Sequence, residues 1–96
     1  MYRVLLIDDQ PIFRDIIRAM LDKAGGFEVV AEREDGAFAA DTYGEILPDA
    51  VIMDVQMPRM NGFEVAGTIL GTDPEAVVVL TSMKQGDEYE RLANEA

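Results

Sequence analysis

The stretch Val4-Leu5-Leu6-Ile7-Asp8-Asp9-Gln10-Pro11 decides the fold. Four consecutive apolar residues are too few for a helix and show no alternation, which is the pattern of a strand covered on both faces in a parallel sheet. Two acids close the run, and Pro11 marks the start of a helix, because proline is favoured in a first helical turn. A second run of the same kind, Ala50-Val51-Ile52-Met53, is closed by Asp54. In open α/β sheets ligands bind beyond the carboxyl ends of the strands, so Asp8, Asp9 and Asp54 are candidate site residues. A lone Asp after a strand is ordinary turn and capping chemistry. Three acids gathered at one sheet edge are different, because their mutual repulsion calls for a divalent cation among them.

Outward from these runs the chain alternates. Strands are expected at Arg3 to Ile7, Phe27 to Ala31, Ala50 to Met53 and Ala76 to Leu80, each followed by a helical stretch. In the first helix Ile12, Phe13, Ile16, Ile17, Met20 and Leu21 recur at three- and four-residue spacing, with Arg14, Asp15, Arg18 and Asp22 on the other face, until Gly25-Gly26 stops it. The second, about Ala37 to Ile46, places Phe38, Ala39, Tyr43, Ile46 and Leu47 on its apolar side and ends at Pro48. The third runs from about Gly62 to Leu70, and Asp87 to Ala96 reads as a final, mostly polar helix. Alternating strands and helices of this length build right-handed βαβ units, hence a parallel sheet with helices on both faces. Chain direction alone then puts the three acids and Thr81, at the end of the fourth strand, along one edge.

Composition narrows the chemistry. Ninety-six residues, 49% of them apolar, make one domain with one core. A formal charge of −11 argues against direct binding of nucleic acid by this segment. The absence of Cys and His excludes disulfides, thiolate nucleophiles, zinc sites built on those residues and histidine acid-base catalysis. No apolar run approaches the ~20 residues of a membrane span and none resembles a signal peptide, so a cytoplasmic protein is expected. What remains is carboxylates, a hydroxyl, backbone groups and a hard cation. Mg²⁺ takes an oxygen shell of one or two carboxylates, waters and often a phosphate oxygen. A carboxylate such as Asp54, alone on its strand end, can also act as nucleophile towards a phosphoryl group.

These pieces, in this order, resemble the receiver domains of bacterial two-component response regulators. Val4-Leu5-Leu6-Ile7-Asp8-Asp9-Gln10-Pro11 is similar to the family's acidic-pair strand, and Val51-Ile52-Met53-Asp54-Val55-Gln56-Met57-Pro58 to its phosphoacceptor strand and loop. Asn61-Gly62 resembles the opening of its third helix, and Val78-Val79-Leu80-Thr81-Ser82 its switch strand. Val29-Val30-Ala31-Glu32 with Asp35-Gly36 is closest to the subfamily that usually carries a helix-turn-helix output domain. The resemblance implies a flavodoxin-like (CheY-like) doubly wound sheet, strand order 2-1-3-4. It also implies phosphorelay signalling, in which Asp54 accepts a phosphoryl group from a sensor histidine kinase. Mg²⁺ would be held by Asp9 directly, Asp8 largely through water, Asp54 and the backbone carbonyl of Gln56. Thr81 would contact the phosphoryl oxygens and move inward, switching the surface that an output domain or downstream protein reads. Pro58, Asn61 and Gly62 are otherwise accounted for by turn chemistry, and Met57 and Met60 by packing.

The sequence also departs from that family. Receivers continue with a fifth strand, a Lys-Pro pair and a fifth helix, so residues 1–96 read as a receiver domain cut short before that unit. Lys84 is the only basic residue near enough to replace the family's phosphate-binding lysine, and a solvated loop lysine is its plainer reading. Two other functions compete: a receiver-like interaction module with an impaired site, and a Mg²⁺-dependent phosphohydrolase. The latter normally places a second Asp two residues after the nucleophile, which Asp54-Val55-Gln56 lacks. With no fifth strand, Val77-Val78-Val79-Leu80 would form a sheet edge, and dimerisation, segment swapping or aggregation through it is expected, against a competing monomer whose acidic surface and last helix shield that edge.

Overall fold

The structure, a computed structural model, describes residues 1–57 and 61–82. Four parallel strands, β1 (Tyr2–Ile7), β2 (Phe27–Arg33), β3 (Ala50–Asp54) and β4 (Val78–Thr81), line up in the order β2-β1-β3-β4. Helices α1 (Pro11–Ala24), α2 (Ala39–Ile46) and α3 (Gly62–Thr72) make the crossovers. This is the CheY-like flavodoxin arrangement. Each strand was anticipated to within two residues at its start and end. The expected final helix, Asp87 to Ala96, lies outside the described residues.

β1 occupies the centre, paired with β2 on one side and β3 on the other. That position explains its unbroken apolar run: Val4, Leu5, Leu6 and Ile7 are all buried. Each such side chain contributes roughly 1.5–3 kcal/mol relative to exposure. One sheet face, formed by Leu5, Ile7, Val51 and Met53, packs on Ala39 and Tyr43 of α2 and on Val65, Ala66 and Ile69 of α3. The opposite face is turned to α1, where Ile17 and Leu21 line a groove with Ile52 and Val79.

Local chemistry sets the helix ends. α1 starts at Pro11 and stops at Gly25, whose N–H reaches the Leu21 carbonyl and whose φ of +79° suits glycine. Gly26, at φ +86°, then turns the chain so that its carbonyl accepts from the Tyr2 N–H. α2 ends on Leu47 in the left-handed region, and Arg3 from β1 donates to the Ile46 and Leu47 carbonyls at 3.0 and 3.1 Å, capping that terminus with a cation. Asn61 caps α3 by accepting from the Glu64 N–H at 2.9 Å.

The apolar stripes are narrower than periodicity suggests. On α1 only Ile17 is fully buried, while Ile12, Ile16 and Met20 are exposed, because the sheet meets a single flank of the helix. The helical period puts Phe38 on the apolar side of the second helix; it stands instead at the N-cap of α2, outside the helix, and is exposed. Phe63 and Leu47 are exposed as well. Tyr43, by contrast, is buried, and its hydroxyl donates to Asp73 at 2.7 Å. That bond joins α2 to the turn before β4 and raises the tyrosine's pKa. Among the described residues, no helix is long and apolar enough to cross a membrane.

Candidate functional site

The parallel topology delivers the acids to one place. Asp8 follows the last residue of β1, Asp9 is next to it, and Asp54 is the last residue of β3, the neighbouring strand. One carboxylate oxygen from each lies within 4.8 Å of the others. Asp8 and Asp54 are buried and Asp9 is half-buried. Each buried carboxylate is oriented by a tight turn of its own: Asp8 Oδ1 accepts from the Gln10 N–H at 3.0 Å, and Asp54 Oδ1 from the Gln56 N–H at 2.9 Å. Burial pushes the Asp54 carboxyl above the usual carboxylate range; the Gln56 N–H pulls the other way, the Asp8 charge adds to the rise and the Val55 N–H opposes it.

Thr81 lies opposite Asp54 in the β3–β4 register, and its hydroxyl donates to the Met53 carbonyl at 3.4 Å. It therefore flanks the acids at the sheet edge. It also borders an apolar groove of about 360 Å³ between α1 and the sheet, with Ile17, Met20 and Val79. Gln56 is exposed on the loop after β3. Met57 is buried in the core, as a packing residue should be. Pro58, Met60 and Lys84 lie outside the described residues.

Some contributors were not apparent from sequence patterns. Gly62 is required by more than turn chemistry: a Cβ there would sit 2.5 Å from the Asp54 carbonyl oxygen and 2.8 Å from Val55 Cα, because α3 begins against the end of β3. Arg14, placed on the polar face of α1, donates from Nη1 to the Asp8 carbonyl and from Nε to Glu32. A cation near a helix N-terminus runs against the helix dipole, and that mismatch was the available signal.

The donor set suits Mg²⁺. Hard carboxylate oxygens, with no Cys or His anywhere in the chain, match its preferences, and their 4.8 Å span is close to the ~4.2 Å that separates opposite ligands in its octahedral shell.

The response regulator receiver domain model matches residues 4–96. This chain belongs to that family. The receiver is 40% identical over 82 residues to the chemotaxis protein CheY of Listeria monocytogenes, covering 85% of this chain and 68% of that protein. Among solved structures it resembles a LuxR-family two-component response regulator from Aurantimonas, with TM-score 0.83, 35% identity, and 99% of this chain and 68% of that one covered. It also resembles the CheX–CheY–BeF3–Mg²⁺ complex from Borrelia burgdorferi, with TM-score 0.75, 27% identity, and 93% and 66% covered. Receiver domains are signalling switches that bind Mg²⁺ in an acidic pocket and interact with histidine kinases and output domains; they are not enzymes in the ordinary sense.

Proposed function

We propose that this receiver accepts a phosphoryl group on Asp54 from a sensor histidine kinase and passes the change to an output domain or downstream protein. The observation that carries the reading is the convergence of Asp8, Asp9 and Asp54 within 4.8 Å at the carboxyl ends of β1 and β3. An Asp54 carboxylate oxygen attacks phosphorus, the bond to the donor's phosphohistidine nitrogen breaks, and an acyl phosphate results. Asp8, Asp9, Asp54 and the Gln56 carbonyl would hold Mg²⁺, which when bound offsets the negative charge of carboxylates and phosphoryl group. Thr81, opposite Asp54 in the register, would donate its hydroxyl to a phosphoryl oxygen after leaving the Met53 carbonyl. The likeness to a LuxR-family regulator supports a transcription-regulating output, and a cytoplasmic location follows from the same role.

The test is labelling by a small acyl phosphate, with trapping of the modified residue. Incorporation at Asp54 that requires Mg²⁺ supports the proposal. Folded protein that takes up no phosphoryl group at any Mg²⁺ concentration overturns it, in favour of an interaction module with an impaired site. Mg²⁺ should also stabilise the fold, by about 2.7 kcal/mol at a ~100-fold excess over its dissociation constant. An unchanged melting temperature at saturating metal would count against the shared site.

Assembly is a separate part of the proposal. Among the described residues β4 pairs with β3 alone, and Val77 and Val79 are exposed. Pairing of two copies of this 96-residue chain through β4 is the expectation, since an apolar strand edge unpaired among the described residues is where another strand can add. Sedimentation over a range of concentrations checks it: a mass that stays monomeric throughout rules the pairing out.

A further inference from the structure

We propose that Arg14 is a positioning residue of the acid site, fixing the peptide that joins Asp8 to Asp9 and thereby the direction from which the Asp9 carboxylate enters the cluster. The inference rests on the reading of that cluster as a metal and phosphoryl site.

Arg14 stands one turn into α1, where the helix dipole disfavours positive charge. Its side chain is only 17% exposed, so the guanidinium has surrendered most of its water and needs protein acceptors. It has two. Nε meets Glu32 Oε1 at 3.2 Å, and Nη1 donates to the backbone carbonyl of Asp8. Glu32, near the end of β2, is itself held from a second side by Arg18 Nη2 at 3.0 Å, and the same Arg18 nitrogen bonds Asp15. The guanidinium is thus braced against β2 rather than swinging from the helix surface.

The carbonyl it grips is significant. The Asp8 N–H already donates to the Arg33 carbonyl at 3.0 Å, and its carboxylate accepts from the Gln10 N–H. Those two bonds fix Asp8 itself. The following peptide plane, whose carbonyl is that of Asp8 and whose nitrogen is that of Asp9, takes its bond from Arg14 at the carbonyl. Rotation of that plane would redirect Asp9 while Asp8 stayed in place. A planar fork spans two acceptors at a fixed angle, whereas an ammonium on a flexible stem is a point charge that cannot reproduce that brace.

The test is Mg²⁺ affinity by calorimetry, with acyl phosphate labelling at saturating Mg²⁺ alongside, on the 96-residue chain. Arg14→Met keeps the apolar stem and removes both donors. It should weaken Mg²⁺ about tenfold, the usual order for losing a group that orients a metal ligand, while labelling at saturating metal changes less. Arg14→Lys keeps the charge and should recover only part of the affinity. Arg18→Met, which alters the outer ion pairs without touching Asp8, should leave affinity within about twofold of wild type, well inside that order. A purely structural role would lower the metal-free melting temperature of both Met variants and leave Mg²⁺ affinity alone, and that result overturns the proposal. So does full recovery by Arg14→Lys, which would mean that charge alone matters. If Arg14→Met does not fold, Arg14→Lys decides by the same criterion. Wild-type protein that neither binds Mg²⁺ nor accepts a phosphoryl group overturns the metal-site reading instead. Wild-type protein that does both, beside an Arg14→Met of equal affinity, overturns the role of Arg14 alone.

Discussion

Asp54→Asn should abolish phosphoryl uptake from a small acyl phosphate and, in metal-free buffer at neutral pH, raise the melting temperature. The loss of uptake follows from chemistry, because an amide oxygen is no substitute for the carboxylate nucleophile. The gain in stability follows from burial. Asp54 is almost fully enclosed, and both its desolvation and the Asp8 charge lift its carboxyl above the usual range in the folded state. A raised carboxyl binds its proton more tightly folded than unfolded, so its contribution to stability is full below the unfolded value near 3.8 and is lost as pH rises through the folded value. At pH 7 the wild type bears that loss and the Asn variant does not, while the amide can still accept from the Gln56 N–H. The transition of a domain this size responds by about 4–8 °C per kcal/mol, so the sign of the difference is readable in a thermal melt. The difference should shrink on acidification towards pH 4 and invert on adding Mg²⁺, which stabilises the wild type more. Thermal melts across pH, with and without metal, check each sign. Phosphorylation retained by the variant would refute the nucleophile, and a lower neutral-pH melting temperature without metal would refute the buried-charge account.

Gly62→Ala should destabilise the domain, whereas Gly67→Ala and Gly71→Ala in the same helix should stabilise it. A methyl group on Gly62 meets the backbone of Asp54 and Val55, at 2.5 and 2.8 Å, and neither can move without dragging the end of β3. The Gly62 N–H is also tied to the Val55 carbonyl at 2.8 Å, so α3 cannot simply step back. Overpacking of this kind costs about 1–3 kcal/mol or more. Gly67 and Gly71 have nothing within 4 Å of an added Cβ, so alanine there brings helix propensity alone, roughly 0.5–1 kcal/mol. Melting temperatures of the three variants give the comparison. If Gly62→Ala ranked with the other two, the strand end would be softer than its contacts indicate. Weakened Mg²⁺ binding by Gly62→Ala should accompany the loss, because the displaced backbone carries Asp54.

Much of this architecture was legible because strand and site signals coincided. The runs ending at Ile7 and Met53 were apolar on every residue, which only a strand covered on both faces tolerates, and the acids closing them fixed which sheet edge was chemically interesting. Side-chain placement on the helices was less legible. Ile12, Ile16 and Met20 fit the helical period as well as Ile17 does, yet the sheet touches one flank of α1 and periodicity cannot say how wide that flank is. Phe38 followed the period and missed the helix, since its boundary is set by backbone geometry at the N-cap. Arg14, Glu32 and the Tyr43–Asp73 bond escaped because they connect residues distant in sequence. The extended β2 likewise includes an irregularity opposite Val4 and Leu5 that no local pattern announces.

The central place of β1 also bears on how the protein is made. The ribosome releases Val4 to Ile7 before either neighbouring strand exists, and the pairing with β3 waits until residues beyond Ala50 have emerged. At ~5–20 residues per second that interval lasts a few seconds, during which a four-residue apolar stretch is open to mispairing with other nascent chains. Asp8 and Asp9 border it directly, and charges flanking an apolar strand discourage such association. Under the function proposed above, the same two carboxylates would serve twice in the life of one molecule, first as guards of an unprotected segment and afterwards as ligands in the finished domain.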